Sequence, residues 1–149
     1  MMIYILLAAY FLADFSFQPA KLAIRKRKNF SYLAVYSAVY AAVFFPILFV
    51  LVKVRYAFLA YFFIVILHPL IDRGKILLER KYEDKTCKFI LFLVDQVLHI
   101  LLISVVCFTF QLEEHTSLIY GKLMEWNHFR ELVIYVLIFA IIWDPASVF

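Results

Sequence analysis

Three pairs of polar residues stand four apart within apolar surroundings: Asp14 with Gln18, His68 with Asp72, and Asp95 with His99. On a helix that spacing puts both members on one face, about 6 Å apart along the axis. An ionisable side chain in an apolar span costs several kcal/mol, so it faces protein rather than lipid and commonly serves a function. Carboxylate oxygens and imidazole nitrogens in this arrangement can hold a divalent metal such as Zn, Fe or Mn. They can also bind a cation or relay protons. The blander role is interhelical hydrogen bonding that locks the packing.

The second and third pairs mirror each other. The midpoint of 68 and 99, and that of 72 and 95, both fall at 83.5, between Glu83 and Asp84. An antiparallel hairpin turning there sets His68 level with His99 and Asp72 level with Asp95, a four-cornered polar cluster. The candidate metal ligands are therefore Asp14, His68, Asp72, Asp95 and His99, with Gln18, Tyr36, Lys75 and Gln96 as further polar site residues. Neighbouring carboxylates in a low dielectric repel, so one keeps a proton or a cation neutralises them. Arg73 and Lys75 adjoin Asp72 and either snorkel to headgroups or hold a phosphate.

The elements that must position these groups follow from composition. The 149 residues are 66% hydrophobic, with a mean hydropathy of +0.91. A soluble domain of this size leaves roughly a third of its chain surface in water, so lipid must solvate the remainder. The reading is an all-α membrane protein, one domain over 1–149, built as a bundle of five transmembrane helices, with four as the alternative count. The spans fall at about 1–17, 32–52, 56–76, 89–110 and 132–149. An interfacial amphipathic helix is expected within Gln111 to Glu131, where Leu112, Ile119, Leu123 and Trp126 recur at helical spacing. His115 and His128, in that stretch, are expected to be solvated, and the many Phe and Tyr side chains to be lipid-facing bulk and interfacial belt. Cys87 and Cys107 offer no disulfide framework or zinc-finger spacing. The net charge of +4 sits in short loops between apolar runs and sets topology; it is not a nucleic-acid signature.

Leu12-Ala13-Asp14-Phe15 with Gln18, His68 through Asp72 to Lys75, and Asp95-Gln96 with His99 resemble the motifs of domain-of-unknown-function family 3307, small bacterial integral membrane proteins. The resemblance covers roughly Ile5 to Cys107, with the motifs in the family's order. The family pattern carries a His near the start of its second span; here Tyr36 stands there, followed by Tyr40, which leaves one candidate ligand fewer. The resemblance implies an inner membrane protein and supplies no activity.

The functional expectation is an intramembrane His/Asp site near the cytoplasmic face, acting as a metal-dependent hydrolase of a lipid or lipid-linked substrate. The alternatives are a cation or proton transporter and a non-catalytic scaffold or defence effector. The enzyme is favoured over the transporter because Tyr56 to Leu67, the outer half of the third span, carries no ionisable side chain except Tyr. Membrane lipids are the expected partners, nucleic acid is not, and the pattern admits a homo-oligomer.

Loop charge orients the chain, since cytoplasmic loops keep Lys and Arg. With the N-terminus outside and the C-terminus cytoplasmic, Lys21, Arg25, Lys26, Arg27, Lys28, Arg73, Lys75, Arg80, Lys81, Lys85 and Lys88 lie inside. Only Lys53, Arg55, Lys122 and Arg130 lie outside. In intact cells, an impermeant thiol reagent should label Lys122→Cys and spare Arg27→Cys until the membrane is opened; the reverse pattern would refute this orientation.

Overall fold

The computed structural model describes residues 1–16, 30–82 and 84–143. Helix α1 covers Met2–Phe11 and runs into a π turn over Leu12–Ser16. It is followed by α2 (Phe30–Leu51), α3 (Val54–Lys81), α4 (Lys85–Thr109), α5 (Leu118–Glu125) and α6 (Phe129–Trp143). Gln18, the basic run Arg25 to Lys28 and Asp144 lie outside the described residues.

Among the described residues, three helices are long and apolar enough to cross a membrane: Ser31–Leu51 of α2, then α3 and α4. At 1.5 Å per residue they extend roughly 32, 42 and 38 Å, against a hydrocarbon core of about 30 Å. This corrects the expected five spans. Helix α1 has 10 residues and α6 has 15, or about 15 and 22 Å of regular helix. The first apolar run contains Asp14, and there the helix widens into the π turn instead of continuing. Such turns break the α pattern and recur at functional sites. Helices α1 and α6 pack against each other, and α1 also packs on α2 and α4.

The long helices are joined so that their buried stripes must meet. Asp84 caps α4 by accepting from the amides of Thr86 (3.0 Å) and Cys87 (3.2 Å), which turns the chain sharply after α3. The buried face of α3 is Ala57, Ala60, Ile64, His68, Asp72, Ile76 and Glu79, a helical stripe in which His68 and Asp72 take ordinary core positions. On α4 the buried residues are Asp95, His99, Leu102, Ile103, Val106 and Cys107. At the opposite end, Gln111 adopts φ 47°, in the left-handed region. The amides of Gln111 and Leu112 bond back to the carbonyls of Phe108 (3.3 Å) and Cys107 (3.1 Å). This is a Schellman closure of α4, with Leu112 fully buried beneath it.

The stretch from Gln111 to Glu131 is not one interfacial helix. Its first part pairs with the α2–α3 turn: the Lys53 amide donates to His115 and the Ser117 amide to Leu51, both at 2.9 Å. Within it the eight residues of α5, capped by Ser117, are helical, and α6 begins only at Phe129. Pairing claims the backbone that the sequence pattern assigned to a helix. It also overturns the expected solvation of His115, whose ring lies half-buried, 3.6 Å from Tyr56 and nearly parallel to it.

Glu113 ties α1 to this loop, accepting from the Met1 amine (2.8 Å), the Met2 amide (2.6 Å) and the Tyr120 hydroxyl (2.5 Å). Burial pushes its carboxyl up, but these donors outweigh burial and hold it below the usual 4.5. A depressed carboxylate stabilises the fold above the unfolded value and loses that contribution as pH falls through the folded one. In detergent, the melting-temperature advantage of wild type over Glu113→Gln should therefore hold near pH 6 and shrink on acidification towards pH 3, by a small amount because the side chain is half-exposed. A gap independent of pH would contradict this.

Candidate functional site

His68 and Asp72 on α3, and His99 and Asp95 on α4, are all buried, with His68 fully inaccessible. The two imidazole rings lie 4.5 Å apart, centroid to centroid. His68 Nε2 is 3.7 Å from Asp72 Oδ2. His99 Nδ1 sits 2.8 Å from the Asp95 carbonyl oxygen, one turn back, and bonds to it. That bond puts the proton on Nδ1 and turns the Nε2 lone pair into the bundle. Nε2 has no hydrogen-bond partner among the described residues.

Among the described residues, the ligand atoms that all lie within 4.8 Å of one another belong to His68, Asp72 and His99. The four-cornered cluster expected from the mirrored spacing is thus a group of three. Asp95 stands outside it, with Oδ2 accepting from Lys75 Nζ at 2.9 Å and Oδ1 3.7 Å from His99 Nδ1. Lys75 is itself 5.1 Å from the Phe92 ring centroid. The sequence offered Lys75 as a possible carboxylate partner, and spacing along two helices could not say that it would claim Asp95. Asp14 also stands outside the group. The π turn directs it to the Tyr36 hydroxyl, which donates to its Oδ1, while Tyr10 donates to its Oδ2 at 3.4 Å. Gln96 accepts from the Tyr10 hydroxyl at 2.8 Å, and its amide lies 3.5 Å from Asp95 Oδ2.

Two residues not singled out as site residues complete the enclosure. Tyr40 stacks on His68 at 3.6 Å and 7°, and Tyr10 stacks on His99 at 5.3 Å and 15°. Tyr10, Tyr36 and Tyr40 are almost wholly buried, so they are site walls and not lipid-facing belt. The signal was present: Tyr10 stands four before Asp14 and Tyr36 four before Tyr40, the same one-face spacing as the ionisable pairs. His128 is 75% exposed and distant in role, its ring 3.5 Å from Glu131.

The residues that build this site come from the stretch that matches a known family model, the one described as "Protein of unknown function (DUF3307)", over residues 2–129. The chain belongs to the DUF3307 family. The match extends past the motifs on α1, α3 and α4 to include α5. No curated protein and no solved structure matches. The DUF3307 site therefore has to be read from its own geometry. Two imidazoles and one carboxylate are a donor set suited to Zn²⁺, Fe²⁺ or Mn²⁺. Metal–ligand bonds near 2.1 Å place tetrahedral donors about 3.4 Å apart, so an ion would draw this group inward by roughly 1 Å.

Removing one partner of a buried ion pair leaves an uncompensated charge, at a cost of about 3–5 kcal/mol. Lys75→Met alone should therefore destabilise DUF3307 strongly, and Lys75→Met with Asp95→Leu much less. Thermal unfolding of the two singles and the double in detergent checks this. Strictly additive effects would show the pair to be uncoupled.

Proposed function

We propose that this protein is an inner-membrane, metal-dependent hydrolase acting on a lipid or lipid-linked substrate, with its site near the cytoplasmic face. The observation that carries the reading is the buried His68–Asp72–His99 group. Three protein ligands suit a catalytic metal, which keeps its fourth position for water, whereas a structural zinc site closes with four. A metal there would lower the pKa of that water and polarise an ester or phosphoryl oxygen. Asp95 and Asp14, outside the group but held beside it, are the carboxylates available as general base. The surroundings support a lipid substrate, because α3 and α4 are long and apolar enough to span a bilayer and the outward faces beside the site are apolar.

A second reading has its own support. Asp95 is already neutralised by Lys75, and Asp14 is held by two tyrosine hydroxyls. Carboxylates that find partners without any ion are what a proton relay or a non-catalytic scaffold would use. Metal content separates the readings. Protein purified without chelator from metal-replete cells should carry about one Zn, Fe or Mn per chain. His68→Ala with His99→Ala should lose that ion while remaining inserted in the membrane. A wild-type protein free of metal sinks the hydrolase.

A further inference from the structure

Beside the metal-ligand group, α3 and α4 leave a cavity of about 180 Å³ between them. Its walls include Leu70, Val94 and Leu98, and its polar members are Lys75 and Asp95. Leu70, Val94 and Leu98 are all more than 40% exposed, so the groove opens onto the outer face of the helix pair. The space beside Gly74 is open: a Cβ built there would meet nothing within 4 Å. No packing demand in the protein requires glycine at this position. Because both helices are long and apolar enough to span a bilayer, what covers such a face is lipid. The cavity is smaller than the roughly 300 Å³ or more of a typical small-molecule site, a size that takes one segment of a hydrocarbon chain. Lys75 supplies the headgroup chemistry. It stands on the charged end of α3, one turn beyond Asp72, with its side chain 17% exposed and its amine on Asp95.

We propose that this groove binds an anionic lipid whose headgroup is an unsubstituted phosphate monoester, its chain between Leu70 and Val94 and its phosphate exchanging with Asp95 for Lys75. The exchange breaks one ion pair and makes another, so the buried lysine keeps a counter-charge throughout. It also releases Asp95, whose Oδ1 is 3.7 Å from His99 Nδ1, towards the metal-ligand group. The groove thereby couples substrate arrival to the freeing of a carboxylate. The inference rests on the hydrolase reading only in taking the bound lipid to be substrate.

Native mass spectrometry of the detergent-purified protein tests the groove, with dioleoyl phosphatidic acid, dioleoyl phosphatidylcholine and glycerol 3-phosphate as probes. Wild type should retain one phosphatidic acid per chain, about tenfold more tightly than phosphatidylcholine, the scale of one charge-assisted hydrogen bond. Glycerol 3-phosphate should not displace it. Gly74→Leu and Val94→Phe, which fill the groove from opposite walls, should each weaken retention while metal content stays as in wild type. Asp95→Asn, which removes the competitor for Lys75, should strengthen it. Equal retention of the two lipids, displacement by glycerol 3-phosphate, or full retention by both filling variants would overturn the proposal. So would a dimer that retains no lipid and that Gly74→Leu turns into a monomer, which would make a second copy the occupant. If Gly74→Leu fails to fold, Val94→Phe decides alone. Metal-free wild type that still retains phosphatidic acid removes the hydrolase and keeps the groove; metal-loaded wild type that retains none removes the groove alone.

Discussion

In the middle of a bilayer a polar side chain has no water to turn to, so each must find its partner within the protein. Much of the centre of this bundle answers that requirement, His99 Nε2 being left for a further ligand. His68 and Asp72 occupy the buried stripe of α3, and Asp95 and His99 that of α4. Turning either helix about its axis would carry two ionisable groups onto the apolar outer face of the bundle at once. The register of the α3–α4 hairpin is therefore held by polar satisfaction as much as by the apolar packing of Ala57, Ala60, Ile103 and Val106 around it. The other helices are recruited by the same need. Tyr40 brings α2 onto His68, and Tyr10 brings α1 onto His99.

The carboxylates are separated by how each is neutralised. Asp95 has an ammonium, Asp14 has two phenolic donors, and Asp72 stands with the two imidazoles. Three identical chemical groups within one bundle thus have three different environments, and unequal environments are what assign unequal chemical roles to like groups. A metal held by Asp72 and the two histidines would leave the other two carboxylates free of the ion and available for proton transfer. The Lys75–Asp95 pair occupies a particular place in that scheme, because Asp95 lies beside His99 and both members line the groove between α3 and α4.

The segment that closes the far end shows the same economy of backbone groups. The α2–α3 turn and the loop after α4 satisfy one another through amides of Lys53 and Ser117. Glu113 then collects the first amides of α1, which have no intrahelical acceptors. The two connections and the start of α1 are thereby tied into one unit at that end.

Much of this was legible in the residues themselves. Apolar content demanded helices in lipid, the four-residue spacing put His68 with Asp72 and Asp95 with His99, and the shared midpoint set the two histidines level. Membership of the DUF3307 family was readable from the same motifs. These features depend only on helical periodicity and on the energetic penalty of polar groups in hydrocarbon, both of which act along one chain. What the sequence could not settle was competition between partners. Lys75 takes Asp95, the tyrosines take Asp14, the loop backbone pairs where an amphipathic helix was expected, and the π turn at Asp14 shortens the first span. Each of these outcomes depends on which groups from different helices come within about 3 Å of one another, and that distance exists only once the helices are packed.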